Sequence, residues 1–261
     1  MKHFLSISLL LVFFTTSALQ NIIEHAEFAS IFNYITEDDY HKNTVVILDI
    51  DNTIAIQGHP FRMLGGDIWV NYEIAKLIEQ GIEPKKAVAQ VLPFYYELTH
   101  FVDLKPVEPS IPWIIKQLQD AGITVIACTI RSIEISDRTI EQLRAIDIDF
   151  AHSAFGYNEL LGHGSSFRYK DGIIFCCGGD KGITLKHVLA HFEHTPTKVI
   201  VIDDKEKYLH QIKCILHPDI EFIGIRYSHL DEKVANFDSA LAEQEKQAYL
   251  SGSRDTLEKL A

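Results

Sequence analysis

Val45-Val46-Ile47-Leu48-Asp49-Ile50-Asp51-Asn52-Thr53 is the stretch on which the reading of this 261-residue chain turns. Five of its first six residues are apolar and most are β-branched, as expected of a parallel strand buried on both faces. The run ends on two carboxylates separated by one apolar residue. Ligands of open α/β sheets gather just beyond the carboxyl ends of strands, so an acidic pair there marks a candidate site. The same residues also suit an Asp-rich turn in which Asn52 and Thr53 cap the next segment. So short a pattern does not separate the two readings by itself.

Two further strand-like runs bear on the choice. Ile123-Thr124-Val125-Ile126-Ala127-Cys128 ends on Thr129, with Arg131 close behind, and Lys198-Val199-Ile200-Val201-Ile202 ends on Asp203-Asp204. Between them Asp180-Lys181-Gly182 opens a segment, 183–192, with apolar residues at helical spacing. A strand-end acid pair, a strand-end hydroxyl, a helix-start lysine and a second acid pair thus follow one another in order.

In these four motifs the chain resembles the haloacid dehalogenase (HAD) superfamily over roughly residues 44–227, within a poorly characterised exported bacterial branch. The resemblance implies an α/β fold: a doubly wound parallel sheet of five or more strands, HAD-like and Rossmannoid, with a small helical cap. By the same resemblance Asp49 is the nucleophile that becomes an aspartyl phosphate, a covalent intermediate that divides a difficult hydrolysis into two steps. Asp51 protonates the leaving oxygen and then takes a proton from water. An acid at that position points to a phosphatase, since the family's dehalogenases lack it and its transport ATPases carry Thr there. Thr129 and Lys181 hold the phosphate. Magnesium, which suits oxygen ligands, is expected on Asp49, on the Asp51 main-chain carbonyl and on Asp203 or Asp204. Spacing leaves that last choice open, with Asp203, the first residue past the strand, favoured. Asn52 and Arg131 are further candidate substrate contacts, although a surface salt bridge suits Arg131 equally well. The competing class is a non-catalytic exported binding module that keeps its acidic site as a relic.

Outside the motifs, residues 55–105 break the strand–helix alternation. Gly58-His59-Pro60 and Gly65-Gly66 punctuate a flap, and two helices are predicted at 69–80 and 84–101, the second rich in aromatics. This is the expected cap. Asp67 and Trp69 follow the glycine pair and suit the mouth of a pocket, with the core as the stronger default for Trp69. Helices are predicted at 22–40, 109–121, 133–146, 208–216 and 230–250, strands at 148–152 and 221–227, and a hairpin at 168–175 around Lys170-Asp171-Gly172. Cys128 falls within a predicted core strand and reads as a buried thiol. The formal charge of −12 argues against nucleic acid as a partner. A small phosphorylated molecule or a phosphoprotein is expected instead.

Residues 1–18 form a separate unit: Lys2 and His3, an apolar run from Phe4 to Phe14, and small residues up to Ala18. That order is the order of a secretory signal, too short to span a bilayer comfortably, which leaves residues 19–261 as one HAD-like domain in the periplasm or secreted, with no membrane span once the signal is removed. N-terminal sequencing of the exported protein is expected to begin near Leu19. An intact Met1 recovered from a cytosolic fraction would rule the signal out.

Overall fold

The computed structural model describes residues 20–40, 43–156 and 158–252; the expected signal at 1–18 lies outside them. Ten strands and eight α-helices occur among the described residues. In chain order they are β1 (Gln20–His25), β2 (Thr44–Leu48), β3 (Ala55–Gln57), α1 (Asp67–Glu79), α2 (Pro84–Phe101), β4 (Leu104–Pro106), α3 (Ile111–Asp120), β5 (Thr124–Thr129), α4 (Ser136–Arg144), β6 (Leu160–Leu161), β7 (Arg168–Lys170), β8 (Ile173–Phe175), α5 (Lys181–His191), β9 (Lys198–Asp203), α6 (Glu206–Ile215), β10 (Glu221–Tyr227), α7 (Asp231–Ala235) and α8 (Ser239–Leu250).

Eight strands make one sheet, ordered β1-β10-β9-β2-β5-β8-β7-β6. The pairings from β1 through to β8 are parallel, and a β8–β7–β6 meander finishes the sheet antiparallel. β2 lies in the middle, buried along its whole length. Its alternating side chains serve two cores. Val46 and Leu48 pack with Ile114, Ile115 and Leu118 of α3 and Ile140 and Leu143 of α4. Val45 and Ile47 pack with Leu185 and Val188 of α5 and Leu209 and Ile212 of α6. Burial on both faces is why β2 reads as a continuous apolar run. The expected α/β layering is therefore present, and the sheet of eight strands falls within the five or more expected from sequence.

The insert at 55–105 is closed at its base by β3 and β4, which pair antiparallel with Ile56 opposite Lys105. Its helices α1 and α2 fall where the apolar spacing puts them. Trp69 is core: it joins Phe61, Leu64, Leu98 and Ala242 of α8 in a third cluster. Glu245 of α8 is fully buried, and its carboxylate accepts hydrogen bonds from the backbone N–H groups of Arg62, Met63 and Leu64 at 2.8, 3.0 and 2.8 Å.

Several local predictions need correction. The helix read at 22–40 is the edge strand β1 followed by two 3-10 turns, Phe28–Asn33 and Glu37–Tyr40. Apolar residues at 22, 23, 26 and 29 mimic helical spacing, but Ile22 and Ile23 lie against Gly224 and Ile225 of β10. A Cβ on Gly224 would come within 3.1 Å of the Ile22 side chain, so the glycine lets the edge strand sit down. The strand read at 148–152 is a 3-10 turn, Phe150–Ser153, capped by the Asp149 carboxylate. The helix at 133–146 splits into a 3-10 turn, Ile133–Ile135, and α4, and that at 230–250 splits into α7 and α8. The hairpin is as read, and Asp171 and Gly172 both take positive φ, 49° and 76°. Cys128 is a buried thiol as expected, with its Sγ 3.6 Å from that of Cys176.

The Glu245 contact makes a stability prediction. Glu245→Ala strands three backbone donors, and each unmet donor costs on the order of 1 kcal/mol or more. Urea unfolding is expected to show a loss of about 2–3 kcal/mol, with Glu245→Gln losing less. A change below about 0.5 kcal/mol, typical of a surface position, would refute the clamp.

Candidate functional site

Parallel register brings the motifs together before any side chain is considered. Leu48 pairs with Ile202 on one side and Ala127 on the other. Asp49 therefore leaves the sheet beside Asp203, and Thr129 ends the neighbouring strand. After Asp49 the chain turns sharply. The N–H groups of Ile54 and Ala55 both donate to the Ile50 carbonyl, and Asn52 holds a positive φ of 61°. Asn tolerates that conformation better than most residues, which accounts for it between Asp51 and Thr53. Asn52 is thus buried in the turn.

Lys181, the first residue of α5, is fully buried and donates to Asp49 Oδ1 at 2.6 Å and to Asp203 Oδ2 at 2.7 Å. Its backbone N–H donates to Gln211 Oε1 at 3.0 Å, and its ammonium lies 4.5 Å from the centre of the Tyr208 ring. Asp203 is engaged at both oxygens, since Oδ1 accepts from the Lys205 N–H at 2.9 Å. Thr53 donates to Asp49 Oδ2 and accepts from the Asp204 N–H, each at 3.1 Å, so one hydroxyl joins the two acidic motifs. Ligand atoms of Asp49, Asp203 and Asp204 lie within 4.8 Å of one another.

Asp51 points elsewhere. Its carboxylate is gripped in bidentate fashion by Arg131, through Nε at 2.9 Å and Nη2 at 2.8 Å. Arg131 is buried, not a surface residue, and Nη1 also donates to Thr139 Oγ1 at 3.0 Å. Gln142 Oε1 accepts from the same nitrogen at 3.4 Å, while Gln142 Nε2 donates to the Thr99 and Val102 carbonyls at the end of α2. The Arg131 N–H donates to Thr129 Oγ1 at 3.2 Å; a hydroxyl used this way keeps its own proton to donate. Asp67, at the start of α1, is ion-paired to Lys205.

Burial dominates the electrostatics. It pushes the Asp49 carboxyl well above the usual carboxylate range against the pull of Lys181, with Asp203, Asp204 and Asp51 adding to the rise. Burial likewise carries Asp204 up to about 7, opposed by Lys205 and reinforced by Asp203 and Asp67. For Lys181 burial works downward, yet the Asp203 and Asp49 carboxylates outweigh it and raise the ammonium well above the ordinary lysine value. For Asp51 burial works upward, but the Arg131 guanidinium outweighs it and holds the carboxyl below its ordinary value.

Five carboxylates, Asp49, Asp51, Asp67, Asp203 and Asp204, face three cations: Arg131 pairs with Asp51, Lys181 with Asp49 and Asp203, and Lys205 with Asp67 while also acting on Asp204. The motifs taken alone suggest four unbalanced carboxylates; Arg131 removes Asp51 from that set. The remainder is two formal negative charges, which one divalent cation on oxygen ligands would match. Thr53 and Gln142 escape a reading of sequence. Thr53 passes there for a turn residue, and Gln142 lies on α4, remote from every motif.

The family described as "Protein of unknown function (DUF2608)" matches residues 24–255. A protein of Chlamydia pneumoniae is 28% identical over 216 residues, covering 82% of this chain and 80% of its own. One from Chlamydia trachomatis serovar D is 27% identical over 214 residues, covering 82% and 79%. Both carry the name "Putative outer membrane protein".

The Arg131–Asp51 pair can be tested by itself. Arg131→Met leaves a part-buried carboxylate without its partner and is expected to cost about 2–3 kcal/mol in urea unfolding. Adding Asp51→Asn removes the stranded charge and should recover part of that loss. Strict additivity of the two substitutions would mean that they do not form a coupled pair.

Proposed function

This chain belongs to the DUF2608 family, and we propose that it is an exported, magnesium-dependent, HAD-type phosphohydrolase acting on a phosphate monoester through an aspartyl phosphate. One observation carries the reading: Lys181 bridges Asp49 and Asp203 while Asp204 stays beside them, its carboxylate taking no hydrogen bond among the described residues. An acidic turn kept only for structure would pair its charges. Here Lys181 serves Asp49 and Asp203, the Asp204 carboxylate accepts no hydrogen bond among the described residues, and the excess negative charge suits a cation that a phosphate dianion could then join.

The donor set fits magnesium. Asp204, whose oxygens are uncommitted, is the better third ligand beside the Asp51 main-chain carbonyl and Asp49, whose Oδ2 accepts a single hydrogen bond from Thr53 and keeps a lone pair for the ion. Asp203, engaged by Lys181 and by the Lys205 N–H, positions the lysine instead. This reverses the preference for Asp203 as the first residue past its strand. When bound, magnesium would neutralise phosphate charge and align the ester for in-line attack.

The chain's own groups supply the rest. Thr53 fixes the Asp49 carboxylate through Oδ2 and Lys181 holds Oδ1, which sets the direction in which Asp49 meets phosphorus. Lys181 and the Thr129 hydroxyl balance charge on the transferring phosphoryl group. Asp51 delivers a proton to the leaving oxygen in the first step, and its pair with Arg131 then favours the anion left behind. That anion accepts a proton from the water resolving the intermediate. The helices of the insert at 55–105 serve as the cap over this site.

The relatives' naming and the signal-like start together support export, and no helix among the described residues is long and apolar enough to cross a membrane.

Phosphate release from phenyl phosphate should require magnesium after chelator treatment. Asp49→Asn should lower turnover roughly a thousand-fold and abolish covalent phosphate labelling. Asp51→Asn should still label but release phosphate slowly. Asp204→Asn should raise the magnesium needed for half-maximal rate about ten-fold or more. Full chelator-resistant activity, or full activity of Asp49→Asn, would refute the proposal and favour a binding module with a relic site.

A further inference from the structure

We propose that the cleft between the insert and the sheet receives the alcohol part of the ester, and that this part is a small, uncharged, apolar group of about one substituted aromatic ring. The inference rests on the phosphohydrolase reading and names the substrate class within it.

A cavity of about 240 Å³ opens beside the acidic site. The Asp51–Arg131 pair forms part of its wall, so the cavity borders the acidic site at the residue two positions after Asp49, while Asp49, Asp203 and Asp204 do not line it. The remaining wall is mainly apolar. Val70 and Ile74 come from successive turns of α1; Val88, Leu92 and Tyr95 come from one face of α2 at i, i+4 and i+7. Ile130 closes the side below Thr129.

Val70 and Tyr95 belong to the insert's own core, Ile74 and Leu92 pack against it while lining the cleft, and Val88 lies outside it. That core also holds Trp69, Leu98 and the rings that pack on them, such as Phe94 and Tyr249. Val88 is 36% exposed, and Ile74 and Leu92 are only partly buried. Apolar surface turned toward an open cleft beside a polar site is what a ligand's apolar body would cover.

The charged groups in the wall exclude a charged body. Asp51 is committed to Arg131 and Asp67 to Lys205. A carboxylate, ammonium or second phosphate entering here would lose water without gaining a counter-ion. Size narrows the class further: a cavity of about 150 Å³ lined by aliphatic side chains holds benzene. The present volume therefore suits a ring with a substituent, or an aliphatic chain of equal bulk, and not a nucleoside.

The test compares kcat/KM for phenyl phosphate with that for phosphoserine and glucose 6-phosphate, in magnesium. Wild type should favour phenyl phosphate at least about ten-fold, the discrimination that a modest apolar contact supplies. Leu92→Asn should remove most of that preference. Val88→Asn, at a more exposed position, repeats the test if the first variant does not fold by circular dichroism. Equal or reversed preference in wild type, or preference kept in both folded variants, would overturn the inference while phosphate release still upheld the phosphohydrolase. If no ester is turned over, the phosphohydrolase reading fails by itself, and the cleft is judged by binding. Benzyl alcohol, but not glycerol, should then shift the Tyr95 and Tyr96 ring resonances saturably in wild type and less in Leu92→Asn. No shift would overturn the ligand class as well.

Discussion

A lysine ammonium held between two carboxylates, with no access to water, is the contact on which the rest of this structure depends. Lys181 meets Asp49 from β2 and Asp203 from β9, strands that the sheet places side by side. Two carboxylates at adjacent strand ends repel each other, and burial strengthens the repulsion. The lysine offsets it only if α5 begins at the right place. Gly182 allows this: a Cβ there would lie 2.0 Å from the Gln211 carbonyl, so α5 starts hard against α6. The Gln211 side chain then takes the Lys181 N–H. Sheet register, helix packing and the site's charge balance are thus one arrangement.

A second network ties the insert to this centre. Arg131 neutralises Asp51, and Gln142 reaches from Arg131 to the last carbonyls of α2. At the other end of the insert, Glu245 of α8 gathers the N–H groups of 62–64. The insert is therefore tied down where the chain enters α1 and where it leaves α2, which holds the base of the cleft in place before any ligand arrives. These anchors are polar and buried: Glu245 satisfies N–H groups of the irregular flap and Gln142 satisfies carbonyls at the end of α2.

What could be read from sequence follows from how local each signal is. Val45–Leu48, Val125–Cys128 and Val199–Ile202 are buried on both faces, so their character is written in consecutive residues, and the polar groups that end them stand out. Lys181 was legible because an Asp cap precedes it and a helix follows. β1 was not, because an edge strand beside a glycine carries only two strongly apolar residues, and their neighbours fit a helical period as well. The Arg131–Asp51 pair was hidden for another reason. Eighty residues separate its partners, and only folding decides whether an arginine past a strand end turns outward to water or inward to an acid. The same limit hid Thr53, whose hydroxyl links motifs 151 residues apart.

The contrast between the charged centre and its apolar neighbour has a consequence for chemistry. Asp51 and Arg131 would interact weakly in open water, where exposed charges a few ångströms apart exchange only about 1 kcal/mol. An apolar group filling the cleft over Val70, Ile74 and Leu92 would displace water from the same region in which charge moves during transfer. The hydrogen bonds between Arg131 and Asp51 would then act in a less polar medium. On this reading the cleft does more than select a leaving group. Its occupation by an apolar body would shield the Asp51–Arg131 pair in its wall from water, so that recognition and proton transfer would draw on the same contacts.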